Sequence, residues 1–106
     1  MNPLDHTLLQ IFAAEQAEHL SRIRSLLESL QSAPPPDRGV RFDELLRRAH
    51  TLKGAARAVG LVETEQLAHE VEDIFVGLRQ RGEEPDSGRR NVIGQALDRA
   101  EDILAW

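Results

Sequence analysis

Apolar residues recur along four stretches of the chain at intervals of three and four positions. This spacing places them on one side of an α-helix, so each stretch is predicted to form an amphipathic helix. The predicted helices cover residues 5–31, 40–59, 63–81 and 89–106. The run Pro34–Gly39 cannot continue a helix, and 82–88 is a second loop rich in turn residues. Gly60 separates the second and third helices, because glycine readily adopts the left-handed conformation that follows a helix C-terminus.

Each predicted helix has a single apolar stripe that must be buried against its neighbours. The first stripe comprises Leu9, Ala13, Leu20, Ile23, Leu27 and Leu30, with Gln16 as its one polar member. The other three comprise Phe42, Leu45, Ala49, Leu52, Ala56 and Val59; Leu67, Val71, Ile74, Phe75 and Leu78; and Val92, Ile93, Ala96, Leu97, Ala100, Ile103 and Leu104. Short connections make consecutive helices antiparallel. The chain is therefore predicted to be all-α, an antiparallel up-down four-helix bundle forming one domain over residues 1–106.

The composition agrees with this fold and excludes several classes of function. Leu and Ala far outnumber Val and Ile, which favours helices over strands. The 13 Lys and Arg are outnumbered by 18 Asp and Glu, and a net charge of -5 argues against binding of nucleic-acid backbones. The absence of Cys excludes disulfides and thiolate metal sites. No stretch resembles a membrane helix or a signal peptide, so a cytoplasmic protein without membrane insertion is expected.

One histidine, His50, has unusual neighbours. On a helical wheel it shares the exposed side of the second helix with Arg47, Lys53, Gly54 and Arg57. A glycine in mid-helix is unfavourable by about 1 kcal/mol relative to alanine. Its missing side chain would let a partner approach the imidazole closely, although a helix-packing contact or a tolerated small residue would explain it equally well.

Glu72 on the third helix is predicted to lie level with His50. In a hairpin that turns at Gly60 and Leu61, the two residues are about 18 and 15 Å from the turn. Glu72 would then accept the Nδ1 proton of His50 and leave Nε2 as an outward-facing nucleophile. His69 lies nearly level as well. The ordinary alternatives are a solvated helix face for Glu72 and a surface or half-buried histidine for His69.

The segment His50-Thr51-Leu52-Lys53-Gly54, followed by Gly60-Leu61, resembles the H-x-[LI]-K-G-x5-G-[LF] signature of histidine phosphotransfer domains. Leu67-Ala68-His69 and Glu72 extend the similarity toward the N-terminal phosphotransfer domain of CheA-type chemotaxis kinases. The resemblance covers about residues 8–104. Two features depart from it. Family members often carry a fifth helix after the fourth, and this sequence is expected to hold only four. The third helix opens with Val62 and Glu63 where a small polar cap is expected, so Thr64, one turn later, is the better candidate for the cap.

The resemblance implies a phosphorelay carrier in chemotaxis-type two-component signalling. His50 would be phosphorylated, Glu72 would orient its ring, and Lys53 would offset the charge of the phosphoryl group. The residues implied in partner docking are Arg47, Gly54, Arg57 and His69. The implied partners are an ATP-binding histidine kinase domain, in the same or another chain, and a CheY/CheB-like response-regulator receiver.

The chain has no nucleotide-binding loop, so it is expected to hold no cofactor of its own. ATP and magnesium would come with the kinase domain and further magnesium with the receiver, and the chain would be the N-terminal part of a longer kinase. A helical adaptor without chemistry is the main alternative. A helix-turn-helix DNA binder is disfavoured by Gln66 and His69 at positions that should be apolar. A zinc site is disfavoured because Asp73 stands where H-E-x-x-H needs its second histidine.

Overall fold

A computed structural model of the chain describes residues 3–105, with the side chains of 3–6 and 35 set aside. It contains four helices: α1 (Pro3–Leu30), α2 (Pro35–Ala58), α3 (Val62–Arg81) and α4 (Ser87–Leu104). Each helix packs against the next, and α4 packs back against α1. The all-α bundle predicted from the apolar periodicity is confirmed. None of the four helices, as far as the structure describes them, is long and apolar enough to cross a membrane.

The core is built from the predicted stripes, with a few corrections at their edges. In α2 the residues Phe42, Leu45, Ala49, Leu52 and Ala56 are all buried. Val59 was predicted to extend this stripe but is 43% exposed, because α2 ends at Ala58 and the chain is already turning there. Val92 is 49% exposed, since it lies on the outer side of α4. Phe12 and Leu26 are buried although the predicted stripe of α1 omits them.

The proline run opens α2, which corrects the predicted start of that helix at residue 40. Pro34 has an extended backbone, and the helix begins at Pro35 with Pro36 as its second residue. The first turn of a helix tolerates proline because its N–H groups have no partner within the helix. The three prolines therefore end one segment and begin the next, and only the first lies outside a helix.

Two left-handed glycines and one aspartate set the other helix ends. Gly60 follows α2 with a φ of 77°, as predicted, and Gly82 ends α3 with a φ of 65°. Asp86 caps α4 by accepting a hydrogen bond from the backbone N–H of Arg89 at 2.8 Å, so α4 begins at Ser87, two residues before the predicted start. The predicted end of this helix at Trp106 lies outside the described residues.

Thr64 does not cap α3, which is a second correction. The helix begins at Val62, and Leu61 occupies the capping position without a side-chain hydrogen bond. Thr64 lies one turn further on with its side chain fully buried. Among the described residues no partner accepts from or donates to its hydroxyl, and the same holds for Oε1 of the buried Gln16.

Candidate functional site

The hairpin of α2 and α3 brings His50 and Glu72 together. His50 Nδ1 lies 2.9 Å from Glu72 Oε2, a hydrogen-bond distance. The His50 side chain is 72% exposed, whereas that of Glu72 is 14% exposed. Both residues were predicted at this level from their distances to the turn at Gly60. The imidazole therefore lies on the bundle surface, and its Nδ1 is hydrogen-bonded to the less exposed carboxylate of Glu72.

Lys53 binds the same carboxylate from the other side. Its Nζ donates a hydrogen bond to Glu72 Oε1 at 2.5 Å, and its side chain is only 25% exposed. Lys53 lies one turn after His50 on α2, so the two donors reach Glu72 from adjacent turns of one helix. Both oxygens of Glu72 are thus occupied, one by the lysine and one by the histidine.

These contacts hold Glu72 in its ionised form. Its partial burial by itself would raise its pKa, but the hydrogen bonds and positive charges of Lys53 and His50 outweigh burial and lower the pKa below the usual value. An ionised carboxylate can only accept hydrogen bonds. His50 Nδ1 must therefore carry the proton in this contact, and in the neutral ring Nε2 keeps its lone pair and faces solvent.

The other two histidines with described side chains are arranged differently. His19 Nδ1 lies 3.2 Å from Nη1 of Arg48, and since a guanidinium can only donate, Nδ1 is the acceptor. Burial, followed by the charge of Arg48, lowers the pKa of His19. In His69 it is Nε2 that faces a carboxylate, 3.5 Å from Asp73 Oδ2. Only His50, of these three, has Nδ1 held by a carboxylate and Nε2 free.

Gly54 leaves an open space next to His50. It is exposed, and a Cβ atom built on it would meet no heavy atom within 4 Å in the part of the chain that the structure describes. The glycine is therefore not needed for packing inside this chain, which removes a helix-packing contact as its explanation. What the missing side chain does provide is an unobstructed surface one turn from the imidazole.

The remaining predicted residues surround His50 without binding it. Arg47 and Arg57 are exposed, and neither side chain forms an ion pair or hydrogen bond with any residue the structure describes. His69 is also exposed, on α3, and its contact is with Asp73. The surface around His50 thus presents two unpaired arginines and a gap at Gly54. The docking roles of all four residues stay predictions.

One charged cluster on the α1 side of α2 was not predicted from the sequence. Glu44 on α2 accepts hydrogen bonds from Arg22 of α1 at 2.9 and 3.1 Å and from Arg48 at 2.8 Å. Arg48 also reaches His19, so this cluster joins α1 to the helix that carries His50. The spacing of Glu44 and Arg48, four residues apart on one helix, was the available signal. The partners on α1 carry no local sequence signature.

The arrangement provides a nucleophilic nitrogen and little else. An exposed imidazole with one nitrogen bound to a carboxylate resembles the oriented base or nucleophile of many active sites. The opposite side of the ring is open to solvent and to any macromolecule that can approach over Gly54. A group attached to Nε2 would project outward from the bundle surface.

Comparison with known proteins gives one consistent family. The sequence model of the Hpt domain matches residues 7–103. The chemotaxis protein CheA of Halobacterium salinarum is 36% identical over 96 residues, which cover 91% of this chain and 14% of that protein. CheA of Bacillus subtilis is 29% identical over 96 residues, with the same coverage of both chains. The gliding motility regulatory protein of Myxococcus xanthus is 30% identical over 102 residues, covering 96% of this chain and 12% of that protein.

The matches concern a small part of the relatives. The chain spans 11–14% of the length of the curated chemotaxis proteins it matches. No solved structure gave a significant match to the chain.

Proposed function

The chain belongs to the Hpt domain family, and on that premise we propose that it is a phosphorelay carrier in chemotaxis-type two-component signalling with His50 as the phosphorylated residue. The observation that carries this proposal is the 2.9 Å contact between His50 Nδ1 and Glu72. It explains why one histidine of the bundle, rather than His19 or His69, has its Nε2 available. A surface used only for docking would not need that arrangement.

In the first step, Nε2 of His50 attacks the γ-phosphorus of ATP bound to a histidine kinase domain. The new P–N bond forms as the bond from phosphorus to the bridging oxygen breaks, and ADP leaves. The ring then carries a positive charge, because Nδ1 keeps its proton in the hydrogen bond to Glu72. Glu72 is placed to stabilise this charge, because its hydrogen bond with Nδ1 becomes stronger as the positive charge on the ring develops. Magnesium and the nucleotide site belong to the kinase domain in this scheme.

In the second step, the phosphoryl group passes to an aspartate of a response-regulator receiver. A carboxylate oxygen of the receiver attacks phosphorus as the P–N bond breaks, and the electron pair returns to Nε2. The receiver must reach within bonding distance of the phosphoryl group. The open surface at Gly54 supports such an approach, because nothing within 4 Å among the described atoms fills the space above it.

Lys53 supports the site through Glu72. The resemblance places this lysine beside the phosphoryl group, whereas before phosphorylation its Nζ is bonded to Glu72 Oε1 at 2.5 Å. We therefore propose that its first role is to keep Glu72 ionised and fixed. The charge on the carboxylate is then available to the histidine ring throughout the transfer.

The proposal is tested by incubating the chain with the ATP-binding core of a CheA-type kinase and ATP labelled at the γ-phosphate. We expect one label that is lost in acid and stable in base, as a phosphohistidine is. His50→Gln should remove it, whereas His69→Gln should leave a labelled protein. Addition of a receiver and magnesium should then move the label to an acyl phosphate. Acid-labile phosphate on the His50→Gln variant would contradict the assignment.

A further inference from the structure

Cationic side chains near His50 have no ion-pair partner among the described residues. The inference about which of them binds the phosphoryl group rests on the proposed function. A phosphoryl group on Nε2 carries nearly two negative charges at neutral pH. Lys53 lies three residues after His50, but its single charge is bound to Glu72 at 2.5 Å. Moving Lys53 to the phosphoryl group would remove the partner that helps to keep Glu72 ionised.

Arg57 and Arg47 are the two cations on this side of α2 that have no ion-pair partner in the described part of the chain. Both are exposed. Arg57 follows His50 by seven residues, which rotates it by only about 20° from the line of His50 along the helix. Arg47 precedes His50 by three residues and lies about 60° around the helix from it. Arg57 is therefore the better aligned of the two.

The direction of side chains on a helix also favours Arg57. Side chains lean toward the N-terminus of their helix, over the preceding turn. Arg57 and His50 lean in the same direction, so the long Arg57 side chain extends over Gly54 toward the turn that carries His50, whereas Arg47 extends away from that turn. Between Arg57 and His50 lies Gly54, on which even a Cβ would have no described neighbour within 4 Å. No side chain at Gly54 therefore stands between these two residues on the helix surface.

We propose that Arg57 binds the phosphoryl oxygens of phosphorylated His50, while Lys53 stays with Glu72. The planar guanidinium suits this task because it can donate two parallel hydrogen bonds to one phosphoryl group. The missing side chain at Gly54 then has a second use, since it admits the arginine as well as the partner. Arg57 is in this proposal a binding residue for the phosphorylated state.

The other charged groups around the imidazole do not replace Arg57. On α3, Glu72 and His69 are engaged with Lys53 and Asp73, as described above. Glu65 lies level with Arg57 across the hairpin, since it is about as far from the turn, yet the two form no ion pair. A phosphoryl dianion carries more charge than this carboxylate and therefore attracts the guanidinium more strongly.

The test uses phosphoramidate, a small phosphoryl donor that needs no kinase. The Nε2 atom of His50 attacks the phosphorus of this donor, whose nitrogen is already protonated at neutral pH; the donor P–N bond breaks, and neutral ammonia leaves. Arginine side chains labelled with ¹⁵N report the contact directly. On phosphorylation we expect the Arg57 Nε–H signal to shift downfield and to exchange more slowly with water, while the Arg47 signal stays in place.

A ³¹P titration of the phosphorylated protein provides the second readout. A cation beside the phosphoryl group favours its dianion and lowers the midpoint of the second ionisation. We expect Arg57→Gln to raise this midpoint by about half a pH unit or more. Arg57→Lys should recover part of the shift, and Arg47→Gln, which removes the same charge from the same helix, should move it much less.

The outcomes separate the two proposals. If phosphohistidine forms on His50 but Arg57→Gln and Arg47→Gln have equal midpoints, the role of Arg57 is wrong and the carrier function stands. If the Arg57 Nε–H signal is unchanged by phosphorylation, the role is wrong as well. If phosphoramidate labels His50→Gln as readily as the natural sequence, the carrier function itself is contradicted.

Discussion

Lys53 donates a hydrogen bond to Glu72 over 2.5 Å, so the cation beside the histidine acts on the carboxylate that holds the ring. We predict that Lys53→Met slows phosphorylation of His50 by the kinase about fivefold, equivalent to about 1 kcal/mol in the barrier. Glu72→Ala should also slow it several-fold, because it removes the acceptor of the Nδ1 proton. Because Lys53 acts through Glu72, the double variant should be little slower than Glu72→Ala alone.

The measurement is the initial rate of labelling under saturating kinase and ATP, with circular dichroism to verify that each variant is folded. His69→Ala serves as the matched control, since it removes a nearby histidine that contacts Asp73 and not Glu72. Rate losses that multiply in the double variant would show that Lys53 acts independently of Glu72, for example on the phosphoryl group itself.

Gly54 is predicted to limit stability and permit docking at the same time. Gly54→Ala should raise the free energy of unfolding by about 1 kcal/mol, because alanine is a far better helix former and the added methyl meets no neighbour. Gly54→Leu should fold as well but slow phosphoryl transfer to the receiver at least tenfold, because its side chain fills the approach to His50. Urea unfolding and transfer kinetics measure the two effects.

Gly94 provides the matched control for this prediction. It too lies within a helix, and a Cβ there would meet no described atom within 4 Å. Gly94→Leu should leave transfer to the receiver unchanged, because α4 lies away from His50. Equal rates of transfer in Gly54→Leu and the natural sequence would refute the idea that the surface at Gly54 admits the partner.

Thr64 is predicted to be a site where a substitution stabilises the bundle. Its hydroxyl is fully buried, and the described residues offer it no hydrogen-bond partner. An unsatisfied buried polar group is unfavourable by about 1–3 kcal/mol, and valine has nearly the same shape. Thr64→Val should therefore raise the free energy of unfolding by about 1 kcal/mol, as measured by urea or thermal unfolding.

Thr51→Val is the control for this effect. The hydroxyl of Thr51 is exposed and donates to the carbonyl oxygen of Arg47 at 2.8 Å, so its loss should change stability little. A stability of Thr64→Val below that of the natural sequence would mean that the hydroxyl has a partner that stabilises it.

Glu44 is predicted to stabilise the bundle in a pH-dependent way. The hydrogen bonds from Arg22 and then from Arg48 lower its pKa from an ordinary value of 4.5 to about 2. Because the folded-state pKa is depressed, the contribution of Glu44 is present above pH 4.5 and is lost as the pH falls toward 2. Glu44→Gln should lower stability at neutral pH by about 1 kcal/mol.

The difference between Glu44→Gln and the natural sequence should shrink as the pH is lowered, since the natural carboxylate is then protonated as well. Glu28→Gln is a suitable control, because Glu28 is exposed and has no ion-pair partner within the described part of the bundle. Unfolding curves at pH 7, 4 and 2.5 provide the test. A difference that is constant over this range would contradict the pairing of Glu44 with the two arginines.

Local sequence patterns were enough to predict the helices and to predict that His50 and Glu72 lie at the same height along the α2–α3 hairpin. A period of 3.6 residues is a property of the helical backbone itself, so the apolar spacing identified four helices and most of their buried positions. Gly60 marked the turn because the left-handed backbone that follows the end of a helix favours glycine. With that turn placed, residue counts alone set His50 and Glu72 side by side.

The edges of helices were less predictable. Pro35 and Pro36 begin α2, although proline is commonly a helix breaker. Position within the helix decides the outcome, because the first turn needs no N–H donors. Val59 and Thr64 were misplaced for a related reason: a shift of a few residues in a helix end moves a side chain between the core and the surface.

The sequence by itself determined the helical stripes, the turn and the histidine that stands on an open surface. Only the tertiary structure decided that Lys53 binds Glu72, that Arg47 and Arg57 have no ion-pair partner among the described residues, and that Glu44 joins α1 to α2. Long charged side chains can reach several partners, and their choice depends on the distance and angle between packed helices. Those quantities arise from contacts between residues far apart in the chain, which no local pattern records.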